Sequence, residues 1–454
     1  MAAKSPRISI PCIGAVHGAR RILSVTVTSA GLALCTTPML AQTYEVGAYE
    51  SGSDNIAPDL SLDRRFEQRQ LAVGAQIGAF WFAPDLQLDE ALNDNIYATP
   101  NGGRADAVTT LTARTSLNYA KGTSTLGVQG WLAGHVYAVH STEDSWEGSV
   151  QANFTSLVND DLQLLANGGF KRLVDPRTDP SGLQGLTPTT YEVYDGAVGA
   201  SVGHAQSNLL DFRVGASRTT YDPLQGSQGP IITNDRNYTE IFGEADFRHT
   251  IAPGRGLYVK LRPTSRDFDL KFDQSGFQHS STGVRADIGA DWDIDSVLFL
   301  NVETGYQRQG YDDPRFGTVG EPDGRIKLSW WPTLLTNVTL SGAHEYYEAF
   351  FNPSPGNPSP GAVRNKAILR VEHELRRQWL ASVTVSVERD DVMHVPTHYT
   401  SETADLSLRY QFADGVSAAA DYIFTRQTST GTTVTTGTSS FQQNIVTFTF
   451  RKLF

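Results

Sequence analysis

NIVTFTFRKLF, residues 444–454, closes the chain. Within it the apolar residues Val446, Phe448 and Phe450 alternate with threonine and arginine. A period of two places apolar side chains on one face of a β-strand and polar side chains on the other. The stretch therefore predicts a strand with one apolar face, as in a soluble β-sandwich or in a β-barrel that faces lipid.

The same alternation recurs upstream to about Leu71, and short and long connections separate the segments in turn. Tight reversals are predicted at residues 121–122, 159–161, 206–208, 253–255, 293–295, 332–333, 376–378 and 413–415. Most connections between them are longer and polar, and the first, at 83–105, follows a strand predicted at 71–82. Bacterial outer-membrane barrels have short periplasmic turns and long external loops. The pattern therefore predicts an all-β fold, an antiparallel transmembrane β-barrel of about 18 strands, with 16 as the alternative count and both termini periplasmic.

Charged residues within the predicted strands keep to one parity. Ala367, Leu369 and Val371 alternate with charged residues between Arg364 and Glu374. A charge on the lipid face costs on the order of 2–4 kcal/mol at mid-depth, so we expect the apolar set to face lipid and the charged set to face the lumen. Tryptophans near the short turns predict an aromatic girdle at headgroup level. They are Trp292, Trp330, Trp331 and Trp379.

The inward parity predicts a hydrated or ion-paired lumen, because an unpaired buried charge is too costly. An 18-strand barrel is wide enough for a water-filled channel. The candidate lumen-lining cations are Arg114, Arg213, Lys260, Arg262, Arg285, Lys327, Arg364, Lys366, Arg370 and Arg409. Such cations would attract acidic sugars, and Tyr258 or Tyr347 could stack on sugar rings. The alternative is a mixed-charge wall that only keeps the lumen hydrated.

The N-terminal residues predict export from the cytoplasm. Four basic residues precede an uncharged stretch at 22–41, which is typical of a secretory signal peptide. We predict a signal peptide at 1–41, a flexible periplasmic segment at 42–70 and an outer-membrane β-barrel at 71–454. The segment 42–70 could instead plug the lumen or contact a periplasmic partner. Both cysteines, Cys12 and Cys35, lie in the leader, so its removal would exclude disulfides and thiolate metal sites.

Composition narrows the class of protein. No run of about 18 apolar residues follows the leader, which excludes a helical membrane protein. The formal charge of −12 argues against nucleic acid as a partner. Asp390, Asp391, His394 and His398 share one predicted loop, but Pro396 keeps the histidines from sharing a helix face. We therefore expect no enzyme, catalytic residue, cofactor or metal site.

Three short motifs resemble the Putative beta-barrel porin 2 family. They are YQRQGYDDPRF at 306–316, SWWPT at 329–333 and LNDNIY at 92–97. The likeness spans roughly Leu71 to Phe454 and implies a protein in the outer membrane of a Gram-negative bacterium. Many members are associated with exopolysaccharide biosynthesis and export, so the resemblance implies a porin-like channel that takes part in such export. The alternative is a structural or adhesive surface barrel with a closed lumen.

The same resemblance sets the partners that we expect. They are outer-membrane lipid, polysaccharide, periplasmic export components and the barrel-assembly machinery. Phe448, Phe450 and the terminal Phe454 resemble the insertion signal that this machinery reads, although Lys452 stands where the signal usually has an apolar side chain. The solute and the oligomeric state do not follow from these residues.

Overall fold

The computed structural model describes residues 61–68, 74–351, 359–412, 415–431 and 440–454. The signal peptide predicted at 1–41 lies outside the described residues, as do residues 42–60 of the predicted periplasmic segment. The three predicted domain boundaries therefore remain predictions.

Eighteen long antiparallel strands form one closed ring. They are β2 (Phe80–Asn93), β3 (Asp106–Lys121), β4 (Ser124–Tyr137), β5 (Ser145–Asn159), β6 (Leu162–Val174), β7 (Thr190–Gly203), β8 (Asn208–Tyr221), β11 (Tyr238–Ala252), β12 (Arg255–Phe268), β13 (Ser281–Asp293), β14 (Leu298–Tyr311), β15 (Thr318–Thr333), β16 (Thr336–Phe351), β17 (Ser359–Arg376), β18 (Trp379–Val392), β19 (His398–Gln411), β20 (Val416–Thr430) and β21 (Phe441–Leu453). Each strand pairs with its neighbours along the chain, and β2 pairs with β21 from Asp85↔Leu453 to Asn93↔Ile445. The predicted barrel and its strand count are confirmed.

Shorter elements decorate this ring. The short strand β1 (Ala75–Ile77) pairs with the start of β2, and β9 (Leu224–Gly226) pairs with β10 (Gly229–Ile231) in a loop hairpin. The helix α1 (Leu62–Gln68) precedes the wall. No helix in the described ranges is long and apolar enough to cross a membrane.

The short reversals gather at one end of the ring and most of the longer connections at the other. All eight predicted short turns fall within two residues of an observed strand-to-strand connection, such as the one between β5 and β6. We call the two ends the short-turn end and the long-loop end. Assignment of the short-turn end to the periplasm remains a prediction.

The prediction for the first strand was wrong. Residues 83–93 were expected in a loop, yet they continue β2, although proline and acidic residues are uncommon inside strands. Within β2 the alternation still holds, since Leu86 and Leu88 are exposed outward while Asp85 and Gln87 are buried inward. The loop begins only after Asn93.

The two faces of the wall follow the predicted parity. Leu369 is 44% exposed on the outer face, whereas Glu372 on the opposite parity of β17 is fully buried. The aromatic girdle is correct for Trp292 and Trp330, which are exposed outward. It is wrong for Trp331, which is 6% exposed and points inward, because adjacent residues of a strand face opposite sides.

We expect a charge on the outer face to destabilise the barrel and the same charge on the inner face to be tolerated. Val385→Arg introduces a cation at a lipid-facing position of β18 and should lower the free energy of unfolding by about 2–4 kcal/mol. Ser386→Arg, on the inner face of the same strand, is the matched control. Urea unfolding in lipid vesicles measures both, and equal losses would contradict the assignment of the faces.

Candidate functional site: the barrel lumen

The inner face of the ring is the candidate site, because it is the polar side of a closed wall. All ten cations predicted to line the lumen lie on the parity opposite the exposed apolar residues. At least eight of them lie within 4.0 Å of a carboxylate oxygen; these are Arg114, Lys260, Arg262, Arg285, Arg364, Lys366, Arg370 and Arg409. The inner cations are thus largely paired with anions of the same wall.

A continuous ion-pair network covers the inner face from β12 to β16. Lys260 Nζ lies 2.7 Å from a carboxylate oxygen of Glu303, and Arg285 contacts the other oxygen of Glu303 at 3.0 Å. Arg325 then joins Glu303, at 3.2 Å, to Glu345, at 2.6 Å. Because opposite charges alternate along this network, it presents little net charge to a passing solute.

Three carboxylates of this network also lie close enough together to suggest a metal site. Among the described residues, the side chains that bring three possible ligand atoms within 4.8 Å of one another are Asp287, Glu303 and Asp323. Arg285 already contacts all three, at 2.9, 3.0 and 2.8 Å. A guanidinium in this position opposes a second cation, so the group serves as the anionic half of an ion-pair network.

The two tyrosines expected to stack on sugars have little free ring surface. Tyr258 is 2% exposed, with Lys260 Nζ 4.7 Å from its ring centre. The Tyr347 hydroxyl donates to Asp390 at 2.8 Å and accepts from Arg364 at 3.1 Å. Both rings therefore belong to the packed ion-paired wall.

At the long-loop end, residues 345–351 of β16 part from β15 and turn inward together with residues 359–361 of β17; we call these residues the β16–β17 extension. Pairing between β15 and β16 stops at Gly324↔His344, although both strands continue. Beyond that point Ser281 of β13 donates to Glu348 at 2.9 Å, and the ring of Phe350 lies 4.3 Å from that of His279. A strand three places away around the ring reaches these inner positions only across the lumen, so the β16–β17 extension narrows the mouth.

The motif at 306–316 shapes the same mouth. Phe316 stacks on Phe277 with ring centres 5.3 Å apart, and the Tyr311 hydroxyl hydrogen-bonds that of Tyr346. Asp313 accepts from the Arg315 side chain at 2.8 Å and from the backbone N–H of Gln278 at 3.0 Å. These contacts tie the β14–β15 loop to the β12–β13 loop and to the β16–β17 extension.

The loops on the opposite side of the mouth are also tied down. Arg177, between β6 and β7, donates to both carboxylate oxygens of Glu143 at 2.6 and 3.0 Å. Arg236 donates to the backbone oxygen of Ser181 at 3.0 Å, and its guanidinium lies 5.0 Å from the ring centre of Phe350. Loops from distant strands therefore meet over the lumen.

At the short-turn end, α1 lies against the inner wall through polar contacts. Arg409 of β19 donates to Asp63 at 2.6 Å, and Arg370 of β17 lies 3.9 Å from the same carboxylate. The N–H of Leu62 donates to the buried Glu372 at 3.0 Å, which satisfies one of the free donors at the start of the helix.

Apolar packing also holds α1 against the inner wall; we call the residues that contact α1 its seat. Leu62 and Phe66 form a buried cluster with Phe299, Trp331 and Leu380, from β14, β15 and β18. The Arg65 guanidinium lies 3.9 Å above the Trp331 ring, a cation–π geometry. Part of the predicted flexible segment 42–70 is thus a helix that occupies the lumen on the side of β14 to β19.

The acidic and histidine cluster of the β18–β19 connection does not converge on one point. Asp390 accepts from Arg364 on the inner side at 2.9 Å, whereas Asp391 lies 2.6 Å from His398 Nδ1 and 2.9 Å from Arg389. The two carboxylates belong to separate ion pairs, so the cluster does not form one catalytic group.

Each motif that resembles the porin family has a structural role. Asn95 of the motif at 92–97 accepts from the N–H of Thr99 and donates to the backbone oxygen of Gln442, which secures the seam between β2 and β21. The motif at 306–316 orders the mouth, and Trp331 of the motif at 329–333 packs against α1.

The sequence profile of the Putative beta-barrel porin 2 family matches residues 70–452. The chain belongs to this family. As a member, it is a porin-like β-barrel of the Gram-negative outer membrane, and such barrels are channels rather than enzymes.

Comparison with solved structures finds several proteins that are similar to the chain at low sequence identity. OpdK of Pseudomonas aeruginosa is 12% identical with a TM-score of 0.47, and the alignment covers 82% of this porin-family chain and 99% of OpdK. OccK2 (OpdF) of Pseudomonas aeruginosa is 10% identical with a TM-score of 0.48 and coverage of 82% and 98%. OccAB2 of Acinetobacter baumannii is 11% identical with a TM-score of 0.46 and coverage of 84% and 100%. No curated protein matches the chain.

We expect Phe66→Asp to release α1, because a carboxylate is costly in the apolar cluster around Trp331. Release should raise single-channel conductance, since α1 occupies part of the lumen, and should speed tryptic cleavage after Arg65. Phe66→Leu keeps the packing and is the control. Unchanged conductance together with unchanged cleavage would contradict the described seat of the helix.

We expect Asp313 to hold the β14–β15 loop closed. The side-chain hydrogen bond from Arg315 lowers the pKa of Asp313 below its usual range, against the opposing effect of burial. Stabilisation by a depressed carboxyl pKa is complete above the ordinary value of about 3.9 and is lost as the pH falls below it.

Asp313→Asn should therefore increase tryptic cleavage after Arg315 at pH 8. Asp312→Asn is the matched control, because the neighbouring Asp312 carboxylate makes no hydrogen bond or ion pair with the described residues. Equal cleavage of the two variants would show that the Asp313 contacts do not order the loop.

Proposed function

We propose that this barrel is a passive channel that takes part in export of an exopolysaccharide across the outer membrane. The observation that carries the proposal is the closed ring of 18 strands around a polar, charge-paired interior. A ring of this size is wide enough for an aqueous path, and a polar interior keeps that path hydrated. Membership in the porin family and the association of many members with exopolysaccharide support the choice of solute.

Two elements narrow the lumen from the side of β12 to β19, in addition to the loops that meet over the mouth. At the short-turn end, α1 contacts β14 to β19, and at the long-loop end the β16–β17 extension contacts β12 to β14. The described contacts of α1 do not involve the inner face of β3 to β6. The helix therefore leaves the inner face of β3 to β6 available to a solute at the short-turn end.

The pairing of the inner charges predicts weak selectivity between anions and cations. A lumen whose cations are free would select small anions, whereas paired charges select weakly. We expect steady conductance steps with a reversal potential near zero in a KCl gradient. Glu303→Gln should shift the selectivity toward anions, because it removes the carboxylate that pairs with Lys260 and one of the three that contact Arg285. Asp312→Asn, in the β14–β15 loop, is the control, and strong anion selectivity of the unaltered protein would contradict charge pairing.

The second candidate function is a structural or adhesive surface barrel with a closed lumen. The crossing of the mouth by Arg236, Ser181 and Phe350 favours it, since loops from distant strands meet there. Recordings in planar bilayers separate the two functions. Conductance steps that oligosaccharide blocks support the channel, whereas a silent bilayer with verified insertion supports the closed barrel.

A further inference from the structure

We propose that the inner face of β3 to β6 is a binding surface for uncharged sugar units of the polymer, with Trp131 as its aromatic platform. This inference rests on the proposed function and assigns its substrate class and its residues. We call the surface the amide wall. It consists of Asn118, Gln129, Trp131, Gln151, Asn153 and Asn167.

All six residues lie on the inner parity of their strands. Leu111, Leu132, Val150 and Leu164 are exposed on the outer face of the same four strands, an odd number of residues away from each member of the wall on the same strand. A Cβ placed on Gly169 would lie 2.9 Å from Cγ of Gln151, so the Gln151 side chain packs over this glycine on the inner face. The wall therefore faces the lumen.

Strand register brings these side chains together. Gln129 pairs directly with Gln151, and Asn153 pairs with Asn167. Neighbouring strands are about 4.8 Å apart, and successive inner positions on one strand are about 7 Å apart. Trp131, near the middle of β4, is two residues from Gln129 and so lies one inner position toward the long-loop end. An indole and several amides thus form one continuous patch at mid-height.

The patch differs from the opposite wall in what its side chains already bind. The side chains of Trp131, Gln151 and Asn153 are half-buried and make no hydrogen bond, ion pair or ring contact with the described residues. On the opposite wall, by contrast, Arg285 contacts three carboxylates. A solute can therefore bind the side chains of Trp131, Gln151 and Asn153 without breaking a contact of theirs with the described residues.

Charge selects the kind of sugar. Among the inner positions of β3 to β6, formal charges occur at Asp106, Arg114, Glu147 and Lys171. Arg114 is the cross-strand partner of Trp131, but it already lies 3.8 Å from the Asp85 carboxylate. Lys171 likewise lies 3.7 Å from Asp195. An acidic polymer would gain little from this wall, because both of its cations already have a carboxylate nearby and the amides carry no charge.

Hydrogen-bonding capacity selects the same ligand. Each amide side chain offers two N–H donors and a carbonyl acceptor, and a sugar hydroxyl both donates and accepts. The face of an indole packs against apolar C–H groups, while its N–H remains a donor. A wall that only needed to stay wet would not require a half-exposed indole at mid-height. The combination fits the alternating apolar and hydroxyl faces of an uncharged pyranose chain.

The test uses the full-length refolded porin in planar bilayers, with neutral oligosaccharides of glucose, mannose and galactose and an acidic oligogalacturonate of equal length. At least one neutral oligosaccharide should block the unaltered channel. Its blockades should last longer than those caused by the acidic oligosaccharide. Trp131→Ala should shorten the blockade by about threefold or more, which corresponds to the contribution of an aromatic contact. Trp131→Phe should retain most of the residence time, and Gln151→Ala should shorten it.

Trp146→Ala is the matched control, because Trp146 is an indole on the outer face of the neighbouring strand β5. It should leave the blockade unchanged. An open channel that no neutral oligosaccharide blocks, or one in which Trp131→Ala and Trp146→Ala behave alike, would overturn the amide wall but leave the channel function in place.

A second measurement tests the amide wall separately from the channel function when no conductance is seen in the bilayer. Titration of the same neutral oligosaccharides into detergent-solubilised protein should change tryptophan fluorescence in the unaltered chain and in Trp146→Ala, but not in Trp131→Ala. Binding with a silent bilayer would contradict the proposed channel and keep the wall. No binding would contradict the wall.

Discussion

Satisfaction of backbone hydrogen bonds in lipid is the constraint on which the rest of this molecule depends. A strand edge in hydrocarbon leaves N–H and C=O groups without partners, and each such group costs several kcal/mol. The pairing of β2 with β21 removes the edge, and Asn95 secures its loop-side end. Once the ring closes, the parity of a strand position determines whether its side chain faces lipid or the lumen. In β18, for example, odd positions face lipid and even positions face the lumen.

The inner surface then divides into two kinds of wall. From β12 to β19 the inner cations and carboxylates compensate each other, with Arg285 at the centre of one network and Arg364 of another. From β4 to β6 the inner surface is mostly uncharged and amide-rich. Both structural intrusions into the lumen, α1 and the β16–β17 extension, contact the charged side. A charged wall can hold a peptide segment through ion pairs such as Asp63 to Arg409, whereas an uncharged wall leaves room for a neutral solute.

Much of the fold could be predicted from the sequence because the barrel repeats a local rule. Alternation and tight turns are local signals, so the strand count, the eight reversals and the inner parity of residues such as Lys366 follow from them. The first strand was missed because Pro84 and nearby acidic residues imitate a loop, although the inner face of β2 accommodates the acids. The inward turn of Trp331 was missed because two adjacent tryptophans carry no parity signal of their own. Contacts between Asp63 and Arg409 join residues hundreds of positions apart, and no local pattern contains them.

The seat of α1 bears on the order in which the molecule assembles. The helix comes before the first wall strand, but its partners Trp331, Glu372 and Arg409 lie in the second half of the chain. Contacts that close such long loops are slow to form. The helix can take its seat only after the late strands have created it, so during synthesis and insertion Leu62 and Phe66 remain without their apolar partners. The helix α1 is therefore among the last of the described elements to reach its position.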